Sequence, residues 1–291
     1  MKKKPNLFVI GASKCGTTTL WNILSQHSDI FMSLQKEPWF FSFNDYKKRM
    51  GWYISLFHTV KNEKFIGEAS PIYSETTLIP ELPERIHSFN PEAKIIYIVR
   101  EPIDRLKSVW RQTLSSGHWQ KNKYKDYTDV NVPLMPKKFE KAIFEYPPFL
   151  EATRYWTHLN NYRKFYKDSQ ILLLFFEDLK NDPEMVYKTM CNFLEIEPEI
   201  KPETLKKKNT SKGKVQDYKL VSYLRKYNFM YKAYFFLQRT SGGIIKTPKK
   251  EIPYRINISE DLNNRIKGVL FQEIKMILKY GKKPADFWGK M

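Results

Sequence analysis

Leu7-Phe-Val-Ile-Gly11-Ala-Ser-Lys14-Cys15-Gly16-Thr17-Thr18-Thr19-Leu20, close to the start of the chain, is the stretch that decides the fold. It is typical of an apolar strand, a turn bounded by two glycines, and the start of a helix. Backbone N–H groups at such a turn and at a helix N-terminus face the same point, where an anion binds. The stretch therefore predicts a phosphate cradle formed by Lys14, Cys15, Gly16, Thr17 and Thr18.

The spacing of Gly11 and Gly16 is that of the nucleotide-binding P-loop, but the residue after the second glycine differs. An ATP-hydrolysing loop has Gly-Lys-Ser/Thr there, because the lysine reaches the outer phosphates and the hydroxyl holds magnesium. Here Thr17 follows Gly16, and Lys14 lies inside the turn. This pattern favours an anionic nucleotide that is bound without a metal ion.

A second apolar run, Lys94-Ile-Ile-Tyr-Ile-Val99, leads into Arg100-Glu-Pro102-Ile-Asp104-Arg105-Leu-Lys-Ser108. An apolar run without alternation is typical of a strand buried on both faces, as in a parallel sheet. Pro102 suits the first turn of a helix, so Ser108 falls about two turns along that helix. Ligands of open α/β sheets gather beyond the carboxyl ends of the strands, so we expect Arg100 to lie beside the glycine-bounded turn.

These two motifs resemble those of the sulfotransferases that use 3′-phosphoadenosine 5′-phosphosulfate (PAPS). The family patterns read Gly-x-x-Lys-x-Gly-Thr-Thr-x-Leu and Arg-x-Pro-x-Asp-Arg-x-x-Ser, and this sequence matches both position by position. The resemblance implies that Arg100 and Ser108 bind the 3′-phosphate of PAPS and of its product, PAP. The alternative is that Arg100 and Arg105 are surface ion-pair partners of Glu101 and Asp104. For Arg105 both roles are open, whereas for Arg100 the phosphate role is favoured.

A third element, Asn209-Thr-Ser-Lys212-Gly213-Lys214, lies in a polar, lysine-rich stretch without apolar periodicity. It resembles the late Lys-Gly or Arg-Gly segment with which sulfotransferases close the 3′-phosphate and adenine site. The resemblance implies that Lys212, Gly213 and Lys214 contact the nucleotide. The alternative is a solvated basic surface, which is the usual role of such a run.

The segment Gln35-Lys36-Glu37-Pro38-Trp39-Phe40-Phe41 resembles the Glu-x-x-Phe-Phe element of the glycan-modifying branch of this family. Sulfuryl transfer to a hydroxyl or amine is helped when a carboxylate takes the acceptor's proton. The resemblance implies that Glu37 is the catalytic base, with Lys14 as the catalytic cation. The alternative is an exposed loop carboxylate paired with Lys36. Among the histidines, His118 is the candidate for a contact with the acceptor.

The stretch Gly67-Glu68-Ala69-Ser70-Pro71 follows a predicted strand. Members of the glycan branch often have Glu-Lys-Ser or Glu-Lys-Thr here, with the lysine assisting at the acceptor site. Ala69 removes that cation, so the acceptor type and the roles of Glu68 and Ser70 are left open.

Two later patterns predict framework elements. Gln170-Ile-Leu-Leu-Leu-Phe-Phe176 reads as a buried strand, and Asp182-Pro183 as a helix start with a capping acid. The string Phe176-Glu177-Asp178-Leu179 resembles the family with a structural role. Apolar residues from Leu262 to Leu278, including Val269, recur at helical spacing and stop at Gly281, which predicts an amphipathic helix packed on the sheet.

The 291-residue chain shows no linker or repeat, so residues 1–291 read as a single sulfotransferase domain. The expected fold class is α/β, a P-loop-like three-layer arrangement with a central parallel sheet flanked by helices. Two cysteines, Cys15 and Cys191, are too few for a disulfide framework. The sequence has no apolar signal core or membrane-length apolar window, so a cytoplasmic location without a membrane partner is expected.

The formal net charge of +19 suits an anionic partner. The expected partner is a small-molecule or glycan acceptor, with O- or N-sulfation and oligomeric state left open. Two alternatives remain at this point: a P-loop small-molecule kinase, disfavoured by Thr17, and a basic nucleic-acid-binding protein, which salt-sensitive association with DNA or RNA would support.

Overall fold

The computed structural model describes residues 4–116, 132–199, 215–217, 249–251 and 256–289. The predicted sites at His118 and at Lys212, Gly213 and Lys214 lie outside these residues. The strands of the central sheet are β1 (Leu7–Gly11), β2 (Ile30–Met32), β3 (Phe65–Ala69), β4 (Lys94–Val99) and β5 (Ile171–Phe175). Their order across the sheet is β2-β3-β1-β4-β5, and all neighbouring strands are parallel. A separate antiparallel pair consists of β6 (Val215–Asp217) and β7 (Lys249–Glu251).

The middle of the sheet is formed by the most apolar strands, as their unbroken hydrophobic runs predict. Every residue of β1 is buried, and all of β4 except Lys94 is buried. Val9 of β1 is in register with Ala69 of β3 on one side and with Ile96 of β4 on the other. Consequently, the segments that follow β1, β3 and β4 emerge side by side at one edge of the sheet.

Helices flank this sheet, which confirms the expected α/β fold with a P-loop-like arrangement. In chain order they are α1 (Thr17–Leu24), α2 (Met50–Ser55), α3 (Leu82–Phe89), α4 (Pro102–Ser116), α5 (Phe139–Glu145), α6 (Pro148–Glu151), α7 (Tyr155–Tyr162), α8 (Phe176–Asn181), α9 (Pro183–Leu194) and α10 (Glu260–Tyr280). Helix α1 contacts β1 and β3, and α9 contacts β5. Ser108 lies about two turns into α4, as predicted.

The start of α9 and the apolar face of α10 follow the sequence closely. Asp182 caps α9 by accepting a hydrogen bond from the Met185 N–H at 2.9 Å, a contact worth about 1 kcal/mol. Helix α10 packs against α7 and buries the stripe that runs from Leu262 to Leu278. Val269 is the exception, because it lies at the edge of that stripe and is 47% exposed. Gly281 follows the last residue of α10.

In the portion of the chain that the structure describes, no helix combines the length and apolar character that a membrane crossing requires.

Candidate nucleotide and acceptor site

The turn between β1 and α1 depends on two glycines with positive φ. Gly11 has φ of +149°, and a Cβ there would lie 2.2 Å from the Ser74 Oγ and 2.9 Å from the Pro71 carbonyl oxygen. Gly16, the N-cap of α1, has φ of +102°, and its Cβ would lie 3.0 Å from the Phe176 ring. Both the backbone conformation and the close neighbours therefore require glycine at these positions.

The first turn of α1 presents backbone N–H groups that no side chain caps. Thr17 at its start is buried, and Thr18 is half-buried. Such a helix start attracts an anion, because its free N–H groups carry positive partial charge and the positive end of the helix dipole lies at the same place. Cys15 contributes only backbone here, because burial raises the pKa of its thiol to about 11 and keeps it protonated.

Lys14 points from this turn toward α4. Its backbone is left-handed, with φ of +69°, and its Nζ lies 3.4 Å from the Oε1 of Gln112. Gln112 is one turn beyond Ser108 on α4, and the Ser108 side chain is itself buried. The structure thus brings Lys14 to the same helix that carries Ser108.

Arg100 lies directly after β4, at the carboxyl end of the strand next to β1. Its Nη2 donates to the Asp104 Oδ2 at 3.2 Å, so Arg100 forms an ion pair with the neighbouring helix turn. Its guanidinium also lies 4.7 Å from the centre of the Phe176 ring. Among the described residues, however, its buried Nε has no hydrogen-bond acceptor. One donor of this cation is therefore still available to an anionic ligand.

Arg105 is buried rather than on the surface, so the surface ion pair considered for it is wrong. Its Nε donates to the backbone carbonyl of Ser13 at 3.1 Å. Its Nη1 donates to the Thr153 Oγ1 at 2.6 Å and to the Phe149 carbonyl at 3.3 Å. Arg105 thus ties the glycine-bounded turn to α4 and to the segment around α6, which is a structural role within the motif.

Residues Phe176–Asp178, which begin α8, contact and support the residues around the site. Glu177 accepts hydrogen bonds from the Glu101 backbone N–H at 3.0 Å and from the Trp288 indole at 3.1 Å. Asp178 pairs with Lys283 at 2.7 Å. Phe176 itself lies between Gly16 and Arg100, a contact that sequence reasoning missed because nothing local in the sequence links the three positions.

Glu37 lies beyond β2 in a turn where both Glu37 and Trp39 have positive φ, of +59° and +57°. Its carboxylate pairs with the Nζ of Lys36, as the alternative interpretation of this segment predicts. It also lines a cavity of about 740 Å³ that opens to solvent. The lining side chains combine cations with aromatic rings: Gln35, Lys36, Glu37, Pro38, Trp39, Phe43, Lys48, Arg49 and Trp52. The geometry therefore places Glu37 beside a basic, aromatic pocket.

Glu68 lies at the same end of β3 but is fully buried, and it is not among the described residues that line this cavity. Its carboxyl accepts hydrogen bonds from the hydroxyls of Tyr53, Ser70 and Tyr73, at 2.7, 2.6 and 2.9 Å. Burial raises its pKa to about 7. Ala69, the residue that follows Glu68, is buried within the sheet. The cluster was not foreseen because Tyr53 comes from α2, which is distant in sequence.

Two histidines serve the framework. His158 is buried between the Thr76 hydroxyl at 3.0 Å and the Glu151 carbonyl at 2.8 Å, and burial lowers its pKa to about 3. His27 is buried against the Glu197 carbonyl at 2.8 Å. Within residues 4–116, 132–199 and the shorter described segments, no group of three or more His, Cys, Asp or Glu side chains is arranged to hold a metal ion.

Fold and site together define a P-loop-like α/β protein with an anion cradle at the carboxyl ends of its central strands. The model of the sulfotransferase domain family matches residues 4–237, most of the chain. The chain belongs to the sulfotransferase domain family, which confirms the resemblance drawn from the two motifs and makes the protein an enzyme by family.

Two curated relatives show how far the sequence similarity extends. The bifunctional heparan sulfate N-deacetylase/N-sulfotransferase 4 of Mus musculus is 28% identical over 217 residues, which cover 67% of this chain and 22% of that protein. The heparan sulfate glucosamine 3-O-sulfotransferase 6 of Homo sapiens is 35% identical over 114 residues, 39% of this chain and 32% of that protein. The aligned stretches thus span about a fifth to a third of these relatives.

Two solved structures share the fold. A sulfotransferase from Alicyclobacillus acidocaldarius superposes with a TM-score of 0.65 at 21% identity, covering 98% of this chain and 99% of that one. The mouse sulfotransferase SULT7A1, complexed with PAP, superposes with a TM-score of 0.50 at 14% identity, covering 96% of this chain and 89% of that one. These likenesses concern the fold.

Proposed function

We propose that this protein transfers a sulfuryl group from PAPS to a hydroxyl or amine of a glycan or small metabolite. The observation that carries this is that two cationic residues follow neighbouring strands at the same edge of the sheet. Lys14 comes from the turn after β1 and Arg100 from the end of β4, and these two strands are hydrogen-bonded neighbours. The buried Arg100 Nε without an acceptor fits a phosphate there, because guanidinium donors pair with phosphate oxygens.

Each end of the nucleotide has its own residues in this proposal. Arg100 and Ser108 hold the 3′-phosphate, while Lys14 and the backbone and hydroxyl groups of Gly16, Thr17 and Thr18 hold the phosphosulfate end. Cys15 contributes its backbone. Lys212, Gly213 and Lys214 complete the nucleotide site. Lys214 directly precedes Val215, whose strand β6 contacts α4, the helix that bears Ser108.

PAPS, when bound, supplies the sulfuryl group and leaves as PAP. Glu37 accepts the proton of the attacking hydroxyl or amine as the new bond from sulfur to oxygen or nitrogen forms. Lys14 neutralises the negative charge that collects on the leaving phosphate as its bond to sulfur breaks. The turn after β1 and α1 hold Lys14 and the groups of Gly16, Thr17 and Thr18 in a fixed geometry, which favours in-line transfer. This chemistry requires no metal.

The cavity beside Glu37 favours a glycan as the acceptor. Its cations, Lys36, Lys48 and Arg49, suit carboxylate or sulfate groups, while Trp39 and Trp52 offer flat faces to sugar rings. The relatives named for heparan sulfate support the same class. Membership of the sulfotransferase family accounts for the glycine-bounded turn without the kinase alternative.

The nucleotide assignment is tested by calorimetric titration with PAP. We expect Lys14→Ala and Arg100→Ala each to weaken binding by at least about tenfold, because each removes a charged hydrogen-bond donor worth roughly 1.5–3 kcal/mol. Lys64→Ala is the matched control, since Lys64 is exposed and pairs with Asp29 at 3.0 Å. Absence of PAP binding to the wild type at saturating concentration would overturn the proposal.

The base assignment is tested by Glu37→Gln in an assay of transfer from PAPS to heparan sulfate oligosaccharides and to small alcohols and amines. We expect this variant to bind PAP as the wild type does and to lose about 10²- to 10⁴-fold in turnover, because a positioned proton acceptor contributes that much. Normal turnover by Glu37→Gln would show that another group takes the proton.

A further inference from the structure

The segment that carries Glu37 is linked by hydrogen bonds to the buried carboxylate of Glu68. Glu68 accepts the Tyr53 and Tyr73 hydroxyls on Oε1 and the Ser70 hydroxyl on Oε2. Two of these hydroxyls also meet the backbone of the Glu37 segment. The Trp39 N–H donates to the Ser70 Oγ at 3.1 Å, and the Phe41 N–H donates to the Tyr73 hydroxyl oxygen at 3.3 Å. Two backbone relays, through Ser70 and through Tyr73, therefore end on the same carboxylate.

The ionisation state of Glu68 determines which group donates and which accepts in the hydrogen bonds of both relays. An ionised carboxylate only accepts hydrogen bonds, and each hydroxyl has a single proton to give. When Ser70 and Tyr73 give their protons to Glu68, their lone pairs are free to accept from the N–H groups of Trp39 and Phe41. A protonated carboxyl, or the amide of a glutamine, donates at one of its two positions instead of accepting there. It therefore disturbs the hydrogen bonds from Ser70 and Tyr73.

The backbone around Glu37 adopts conformations that need support from neighbouring residues. Glu37 and Trp39 both adopt left-handed conformations, which cost roughly 1–3 kcal/mol each and persist only where the surroundings fix them. The ring of Phe40, between the two anchored amides, stacks on Tyr53 with 4.0 Å between ring centres and 5° between planes. The anchor points begin two residues from Glu37.

We infer that Glu68 is a positioning residue for the proposed base, acting through the Ser70 and Tyr73 relays on the Trp39–Phe41 backbone to fix the turn that carries Glu37. This rests on the proposed function of Glu37.

The first test measures amide hydrogen exchange by NMR and needs no acceptor. Ser70→Ala cuts one relay and is expected to speed exchange of the Trp39 amide at least tenfold relative to the amides of β4. Tyr73→Phe is expected to do the same at Phe41. Tyr53→Phe is the matched control, because the Tyr53 hydroxyl bonds the same carboxylate oxygen but lies on neither relay. Unchanged exchange in the first two variants, or equal changes in Tyr53→Phe, overturns the inference.

The second test measures turnover with PAPS and heparan sulfate oligosaccharides. Ser70→Ala and Tyr73→Phe are expected to lower kcat about 10- to 100-fold with PAP affinity unchanged, because small misplacements of a catalytic group have effects of this size. In a Glu37→Gln background they are expected to have no further effect, since the base that they position is gone. Equal losses in both backgrounds would mean a general structural role and overturn the inference.

A third readout uses protonation of Glu68 itself, whose pKa of about 7 reflects burial. Among the described residues, the ionisable groups around it are the phenols of Tyr53 from α2, Tyr73 after β3 and Tyr162 from α7. Burial raises the pKa of all three, so they stay neutral. We expect kcat of the wild type to fall as pH drops through about 7, and this fall to be absent in Glu68→Gln. A fall that persists unchanged in that variant contradicts the inference.

The outcomes distinguish failure of the positioning role of Glu68 from failure of the proposed role of Glu37 as the base. Normal turnover by Glu37→Gln removes the proposed base, whatever the relays do. Loss of turnover in Glu37→Gln, with Ser70→Ala and Tyr73→Phe both fully active, overturns only the positioning role. Should heparan sulfate oligosaccharides accept no sulfuryl group, the exchange measurement still decides whether the Ser70 and Tyr73 relays hold the Trp39 and Phe41 amides, and Glu68→Gln in the same measurement tests whether the carboxylate supports them.

Discussion

Gly11 carries the tightest steric constraint in the anion cradle. Its φ is +149°, and the Ser74 Oγ would lie only 2.2 Å from the Cβ of any larger residue, which leaves no room for a side chain. We expect Gly11→Ala to lower the free energy of unfolding by about 3 kcal/mol, because backbone strain and overpacking act together. Urea unfolding followed by circular dichroism measures this.

Gly51→Ala serves as the control for that substitution. Gly51 lies in α2, and a Cβ there would meet nothing within 4 Å. We expect this change to be neutral or to stabilise the protein by up to about 1 kcal/mol, through helix propensity. Equal effects of the two substitutions would show that the packing around Gly11 relaxes easily.

Residues differ in how far their positions and partners in the fold could be predicted from the sequence. The places of Lys14 and Arg100 in the fold, after β1 and after β4, were predictable because each residue belongs to a contiguous motif that follows an apolar strand. Glu68 was singled out only as an open candidate, since its partner Tyr53 is fifteen residues away on another element. Arg105 stands in a motif, yet only the fold shows that its partner is the Ser13 carbonyl. Long-range hydrogen bonds of this kind have no local signal.

Helix α4 braces the glycine-bounded turn through Arg105. Replacing this buried cation by a similar-sized apolar side chain, Arg105→Met, leaves the Ser13 and Phe149 carbonyls without this donor. The Thr153 hydroxyl still donates to the Phe149 carbonyl at 2.6 Å, so the cost falls mainly on the Ser13 carbonyl. We expect a loss of about 2 kcal/mol in unfolding free energy, since an unpaired buried group costs roughly 1–3 kcal/mol. We also expect PAP affinity to fall at least about fivefold, measured by calorimetry, because the turn loosens.

Arg154→Met is the matched substitution at a less buried site. Arg154 pairs with Glu151 at 3.0 Å, and a partly exposed pair of this kind contributes about 0.5 kcal/mol. A large stability loss in Arg105→Met with unchanged PAP affinity would show that the turn keeps its shape without this brace.

Elements with strong local patterns were predictable, and short ones were not. β4, α4 and α10 follow from apolar runs, a helix-starting proline and a clear amphipathic stripe. By contrast, β2 has only three residues, and α8 begins at Phe176, immediately after β5 ends. Such elements exist because their neighbours in the sheet or the C-terminal segment hold them, and that information is not local.

Two buried titratable groups give the whole molecule opposing dependences of stability on pH. Glu68 has a raised pKa of about 7 against its usual 4.5, so its stabilising contribution is complete below about 4.5 and is lost as pH rises through 7. His158 has a lowered pKa of about 3, so its contribution is present above 6.5 and is lost as pH falls.

Comparison with Glu68→Gln isolates the carboxyl, because the effect of His158 is the same in both proteins. We expect the unfolding free energy of the wild type, relative to that variant, to fall by about 3 kcal/mol between pH 4.5 and 7. Urea unfolding at a series of pH values measures this difference. Glu84→Gln, at an exposed position on α3, controls for the loss of a carboxylate, and a flat difference for Glu68→Gln would contradict the expectation.

The strand order β2-β3-β1-β4-β5 separates two tasks across the sheet. The groups proposed to bind the donor follow the central pair of strands, whereas the proton acceptor and its anchor follow the flank formed by β2 and β3. Under this proposal, the choice of acceptor can change in evolution through one contiguous stretch, from the edge strand β2 to Tyr73, while the residues proposed to bind the donor stay the same. Grafting that stretch from a relative offers a modular route to enzymes with altered acceptor choice.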